Sequence, residues 1–498
     1  MITVSYTALL HILLPEAIVI ATALLVLTAD LLSSRSGPLP LRFTTAASLS
    51  AIGCIGAIIR IALSPQQANV LNGTLVISPT IQLVQIALLI LTVFIVVLSA
   101  RSSVTSHVGE YFAMTLFATA GMMLLVSSEN LLLIFLSLEL LSLSLYVLAG
   151  FDKRSPHSAE AALKYFLFGG TSAAFMLFGL SLLYGLSNST NLVQIGHAIK
   201  GPLLDPLLTV AIVMIVLGFG FKVAAVPFHF WAPDVYEAAP AHIAALIASN
   251  AKVAGFVIFY QVMIIGFAGA KGSGDWGRYT PGWVPVVAVV AALSMVLGNL
   301  VAILQTSVRR LLAYSAIAHA GYILLAFVSH TEQSFAALLY YAITYALTVI
   351  GAFGVVSIVE EPLGGEKLSD FAGLSRRSPV LAFCMLIFLL SLGGIPPLAG
   401  FFGKFFLFAS TLSAGQHTLG LLWLVVLAIA MSTVSLYYYL QVLKRIYIAE
   451  PTSETSPLQV PIVSQVTLCA IALSILLLGC APNVFLNLLH QPLRIAHF

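Results

Sequence analysis

The chain has 498 residues, of which 60% are hydrophobic and 8% charged, with a mean hydropathy of +1.06. Soluble domains carry about 25% charged residues, so the composition excludes a water-soluble protein and points to an all-α polytopic membrane protein. The formal charge of +3, from 21 basic and 18 acidic residues, is too balanced to suggest a nucleic-acid partner or an acidic substrate.

Apolar runs of about 20 residues recur from end to end, and about fourteen of them are long enough to cross a bilayer. In chain order they cover 9–32, 43–62, 79–100, 110–127, 130–150, 163–186, 207–231, 241–266, 282–305, 309–328, 334–359, 379–410, 418–447 and 461–486. Glu16 and Asp30 lie in or beside the first run and no small-residue cleavage site follows, so it reads as a retained helix rather than a signal peptide.

When the loops are assigned alternately to two sides, one side collects Arg35, Arg42, Arg101, Lys153, Arg154, Arg309, Arg310, Lys367, Arg376, Arg377, Lys444 and Arg445. The other holds only Arg60, Lys200, Lys271, Arg278 and Arg494. This asymmetry puts the first side in the cytoplasm and both termini outside. The remaining basic residues, Lys164, Lys222, Lys252 and Lys404, fall inside predicted spans.

Two spans carry helix-breaking sequence deep in apolar surroundings, AAVPFHFWAP at 224–233 and SLGGIPPLAGFFGK at 391–404. Proline removes an N–H and frees a carbonyl that lipid cannot satisfy, so such breaks survive where they line a cavity or pack on protein. They occupy the fourth span of two consecutive groups of five, 110–266 and 282–447. Five is odd, so the second group is expected to run upside down relative to the first, as in inverted-repeat transporters. The expected organisation is a three-helix segment (1–105), two inverted five-helix repeats, each with a discontinuous helix, and a C-terminal helix with its tail (461–498).

A lysine at mid-membrane costs at least about 2.5 to 3.5 kcal/mol, so one that does not snorkel to the headgroups needs a function. Lys222 precedes the first break, Lys252 lies about three turns in from Pro240, and Lys404 follows the second break. Glu139 stands in ENLLLIFLSLELLSLSLYVLAG, and a buried carboxylate must protonate or find a cation. Lys222 is its expected partner. A pair about 4 Å apart at an effective dielectric near 20 gains about 4 kcal/mol, or roughly three pKa units, so opening it would help release a proton. Lys164 is either a relay member or an end anchor. His229 and His319 either transfer protons or hold helices together. Asp234, Glu237 and His242 are expected to be solvated or capping residues.

Cys54, Cys384, Cys469 and Cys480 are scattered without a CxxC pair, and GFGFKV departs from the dinucleotide fingerprint at its third glycine. No P-loop lysine is present. Any redox cofactor is therefore expected on another chain.

The segments SLELLSLSLYVLAG, GFKVAAVPFHFWAPDVYEAAP, SVRRLLAYSAIAHAGY and GGIPPLAGFFGKF resemble the antiporter-like subunits of respiratory complex I, and the resemblance covers nearly the whole chain. Lysine rather than glutamate at 404 is unlike the M-type members. The end at Phe498 lacks the long C-terminal arm expected of the L-type, and LLPE at 13–16 suits the N-type. The resemblance implies a proton-translocating module in the membrane arm of an NADH:quinone oxidoreductase. Glu139, Lys164, Lys222, His229, Lys252 and Lys404 match the family's proton-path positions. Flavin, iron–sulfur clusters and quinone would sit on other subunits, and M-type and K-type subunits would be neighbours in the bilayer.

Three other readings compete. A cation/proton antiporter or a membrane-bound hydrogenase-type complex would use the same lysines, although hard cations want several oxygen ligands and no carboxylate cluster is evident. A membrane cytochrome would take haem ligands from His229, His242 and His319. A passive scaffold leaves the mid-span lysines unexplained.

Overall fold

The computed structural model describes residues 6–34, 37–63, 67–70, 73–199, 205–363, 365–414, 420–450 and 457–493. Arg35, Lys200 and Arg494, which enter the charge asymmetry, lie outside these residues, as does the end of the C-terminal tail. The principal helices are α1 (Leu14–Ala29), α2 (Leu39–Leu63), α3 (Pro79–Leu98), α4 (Val108–Val126), α5 (Leu131–Ala149), α6 (Pro156–Ser187), α7 (Pro206–Val223), α8 (Trp231–Ala238), α9 (Ala241–Ala248), α10 (Asn250–Gln261), α11 (Trp283–Ile303), α12 (Val308–Ile323), α13 (Glu332–Leu363), α14 (Pro379–Gly393), α15 (Ala399–Ala414), α16 (Leu422–Tyr447) and α17 (Ile462–Cys480). Among the described residues, thirteen helical stretches are long and apolar enough to cross a membrane. α14 and α15 are shorter apolar helices on either side of the second break.

Local sequence explains where many helices start. Ser78, Asn130, Ser155 and Ser307 each accept a backbone N–H of the following first turn with their side chains, and proline follows at the first helical position of α3 and α6. A small hairpin pairs β1 (Ala68–Val70) with β2 (Leu75–Ile77), antiparallel with Asn69 opposite Val76. The Val76 N–H donates to the Ser127 carbonyl at 2.9 Å, tying the hairpin to the end of α4.

The chain forms two units interleaved in sequence. The first comprises residues 1–219, 238–270 and 492–498, and the second 220–237 and 271–491. In the first, α1, α2, α3 and α4 pack as neighbours around a core that includes Val19, Ala23, Cys54, Ala57, Leu89, Leu116 and Met123. In the second, α11 lies along α12, and α13 lies against α14, α15 and α17. Lipid-length helices normally bury one stripe, yet every residue of the most apolar window of the 241–266 span is buried. α9 and α10 are therefore enclosed by protein, which is where an intramembrane lysine can be held.

Both predicted breaks are present, and they have the same backbone. At the end of α7 the Ala224 N–H donates to the Phe221 carbonyl at 3.0 Å and the Ala225 N–H to the Gly220 carbonyl at 2.8 Å. At the end of α14 the Gly394 N–H donates to the Ser391 carbonyl and the Ile395 N–H to the Leu390 carbonyl, both at 3.0 Å. This is the Schellman termination, with its left-handed residue at Ala224 (φ 57°) in one break and Gly394 (φ 82°) in the other. A cis X–Pro peptide follows each, Val226–Pro227 and Pro396–Pro397.

Candidate functional site

In the first unit, Glu139 sits half-buried in α5. Lys164, in α6, pairs with Glu160 one turn earlier at 2.9 Å, and their side chains are 40% and 59% exposed. Lys252 is 2% exposed in the first turn of α10. The helical course is interrupted just before it, at Ser249 (φ −114°, ψ −87°). Asn250 holds this interruption in place, donating its side-chain amide to the Leu88 carbonyl at 3.1 Å and to Thr92 Oγ1 at 2.9 Å. Thr92 in turn meets Thr119 at 3.1 Å. The three polar residues of SNAK (249–252) inside an apolar run are the sequence signal for this third interruption.

In the second unit, Lys222 is 7% exposed in the last turn of α7. His229 is buried within the first break, its ring stacked on Phe230, and its Nδ1 has no hydrogen-bond partner among the described residues. The backbone groups freed by this break are met by neutral side chains. Trp231 Nε1 donates to the Phe221 carbonyl at 3.1 Å, and Ser294 Oγ accepts from the Val226 N–H at 2.9 Å.

Lys404 lies in the second turn of α15 and is 4% exposed. Its ammonium donates to the carbonyls of Leu392 and Gly393 at 2.9 and 3.2 Å and to Ser432 Oγ at 2.8 Å. It also stands 5.1 Å from the centre of the Tyr322 ring. The carbonyl end of a helix carries partial negative charge, so α14 offers a cation an electrostatic as well as a hydrogen-bonding site. All of these partners are neutral. Chemically, such a cage stabilises an ammonium without trapping it as a carboxylate would.

A polar network continues from this cage. The Tyr322 hydroxyl accepts from Asn299 Nδ2 at 3.0 Å, and Tyr438 donates to Asn299 Oδ1 at 3.0 Å. The Tyr438 and Tyr439 rings are 4.4 Å apart. His319, 2% exposed, places Nδ1 2.6 Å from the Tyr341 hydroxyl and Nε2 3.2 Å from that of Tyr439. The structure thus joins His319 to buried tyrosines, none of which the sequence singled out. The Tyr345 ring lies tilted against the imidazole, 4.9 Å between centroids, and its buried hydroxyl has no partner among the described residues.

Asp234 and Glu237, expected to be solvated or capping residues, instead share one guanidinium. Arg310 NH1 lies 3.0 Å from Asp234 and 2.6 Å from Glu237. Its neighbour Arg309 pairs bidentately with Glu360, donates to the Glu237 carbonyl at 2.8 Å and stands 3.7 Å from Glu366. Burial pushes the Glu366 carboxyl up to about 7, against the opposing pull of Arg309. Across the described residues no group of three or more His, Cys, Asp and Glu could hold a metal ion.

Buried lysines beside interrupted apolar helices, joined to hydroxyl and imidazole groups, define a polytopic membrane protein of the antiporter-like class. The family of NADH:quinone oxidoreductase/Mrp antiporter transmembrane proteins matches residues 128–432. A relative from Acidobacterium capsulatum, NADH-quinone oxidoreductase subunit N 2, is 52% identical over 97% of this chain and 99% of its own. F(420)H(2) dehydrogenase subunit N of Methanosarcina mazei is 37% identical over 95% of this chain and 96% of its own. A chain of respiratory complex I from Thermus thermophilus, solved with bound aureothin, superposes with a TM-score of 0.76 at 32% identity, covering 96% of this chain and 99% of that one. The chain belongs to the antiporter-like subunits of complex I, among the subunit N relatives, and is a multi-pass membrane-arm subunit.

Proposed function

We propose that the chain translocates protons across a bacterial inner membrane, driven by quinone reduction elsewhere in an NADH:quinone oxidoreductase. The observation that carries this reading is the Lys404 cage, a buried ammonium held, among the described residues, by neutral oxygens and an aromatic face. Held this way, the lysine is stable when charged and has no fixed countercharge to oppose its neutralisation. Lys222 and Lys252 are also proposed to alternate between charged and neutral forms, with Glu139 setting the charge on the relay and His229 and His319 passing protons as donor and acceptor. Lys164, already paired with Glu160, tunes the relay from its edge.

In this reading Lys404 hands protons outward, both termini lie on the outer side, and M-type and K-type subunits flank the chain. This chain carries no redox centre; flavin, iron–sulfur clusters and quinone belong to other subunits. The test is proton transfer per quinone reduced in reconstituted vesicles. Lys404→Ala should lose coupling in an assembled complex, and wild-type coupling would remove Lys404 from the path. Imposed sodium gradients that drive this chain, with proton coupling unchanged by Lys404→Ala, would favour cation exchange instead.

A further inference from the structure

α1 carries an acid near each end, and the fold treats them oppositely. Asp30 receives Arg42 bidentately at 2.8 and 2.6 Å, and also accepts the Gly109 N–H at 2.9 Å. Glu16, 3% exposed, receives one side-chain amide: Gln85 Nε2 donates to its Oε1 at 2.7 Å and to the Met123 carbonyl at 3.3 Å. The second oxygen, Oε2, is buried with no hydrogen-bond partner among the described residues. The charged and titratable groups at this end are His11, Arg60, which reaches the His11 carbonyl at 3.3 Å, and Glu129 beyond α4. None of them pairs with Glu16 among the described residues.

A buried carboxylate with one side-chain donor, one oxygen unmet and no cation pairing with it among the described residues is expensive, whereas a carboxylic acid carries its own donor on the second oxygen. From Gln85 a polar stripe runs along α3. One turn on, the Leu88 carbonyl accepts from both Thr92 and Asn250, and Thr92 meets Thr119. The stripe ends on α10 two residues before Lys252.

We infer that Glu16 is a proton-exchange site, a carboxyl that holds a proton at rest in the N-terminal segment and trades it along the α3 stripe leading to the helix of Lys252. The inference borrows from the proposed function only the identity of the cargo. It makes the three-helix segment part of the conducting apparatus rather than a brace.

The test uses the whole complex in native membranes, treated with dicyclohexylcarbodiimide at neutral pH. A neutral carboxyl gives its proton to a carbodiimide nitrogen while its oxygen bonds to the central carbon. The resulting O-acylisourea rearranges to a stable N-acylurea, detected by mass on the peptide containing Glu16. Labelling at Glu16, with Asp30 unlabelled and the label lost completely in Glu16→Gln, is the expected result. In the infrared, a protonated-carboxyl carbonyl band that disappears in Glu16→Gln should shift on transfer to heavy water. No label and no band would mean an ionised group, a band that never shifts would mean a sealed acid, and protection by sodium ions would mean a hard-cation site. Each of these overturns the inference. The label on wild-type complex does not depend on the variant folding. Normal coupling in Lys404→Ala alongside a labelled Glu16 would sink the relay and leave this site standing.

Discussion

From Gly220 to Ala225 and from Leu390 to Ile395 the chain makes the same hydrogen-bonded turn, and the two regions then diverge in what answers the freed backbone. At the first break an indole N–H and a serine hydroxyl answer it. At the second, the carbonyls of Leu392 and Gly393 face an ammonium. The left-handed position differs too, alanine in one and glycine in the other. Identical backbone geometry can therefore serve as a neutral joint or as a cation seat. Which one arises depends on side chains from elsewhere in the fold. At the second break, loss of a proton from Lys404 would change the hydrogen bonding of the helix-end carbonyls themselves.

The largest effect that would sharpen this contrast is Lys404→Ala, expected to lower proton transfer per quinone by about tenfold or more with assembly intact, since general acid–base groups contribute about 10²–10⁴-fold. Lys404→Glu should be partly tolerated, because a neutral carboxyl can donate to the same carbonyls. Equal coupling in wild type and Lys404→Ala would make the two breaks functionally alike.

Next comes Lys222, where Ala and Arg should both lower coupling severalfold, since a guanidinium keeps its proton throughout this pH range. Lys164→Ala should be milder, as its side chain is half exposed and its partner Glu160 is more exposed still. Full activity in Lys222→Arg would reduce that lysine to a fixed charge.

Smaller effects concern the turns themselves. Gly394→Ala should destabilise by about 1–2 kcal/mol, the usual cost of a left-handed Cβ. Its new Cβ would also press on Lys404 at 3.1 Å from Cδ and 3.3 Å from Nζ. Ala224→Gly, at the equivalent position, should be neutral or stabilising by up to about 1 kcal/mol. Thermal unfolding of the detergent-solubilised complex measures both, and equal losses would mean the two turns are not equivalent.

The smallest expected effect is at Glu366. Its folded pKa is raised to about 7 from 4.5, so the native state binds the proton more tightly than the unfolded chain. Stability from this group is then greatest below 4.5 and is lost as pH rises towards 7. Glu366→Gln should flatten that slope in pH-dependent melting; an unchanged slope would assign it to another group.

The breaks were legible because proline and paired glycines inside an apolar run leave few alternatives. The lysines were legible because a charge there is costly. What answers them was not. Ser432 reaches Lys404 from 28 positions away, and Ser294 reaches Val226 from 68. Serine in a transmembrane helix usually bonds back to its own turn, so nothing marked these two. The tyrosines around His319 read as ordinary core aromatics, and only their arrangement around one imidazole distinguishes them. Arg310 meets Asp234 and Glu237 across 76 and 73 positions, a pairing that no local pattern encodes.

The second interruption also bears on biogenesis. α14 and α15 have 15 and 16 residues, about 22–24 Å at the helical rise, against a hydrocarbon core of about 30 Å. Neither half can span alone. The insertion machinery must therefore release residues 379–414 into lipid as one unit. A nascent chain truncated in the Ile395–Leu398 joint would present a hydrophobic stub too short to stay inserted, with the carbonyls that Lys404 later covers open to the membrane interior.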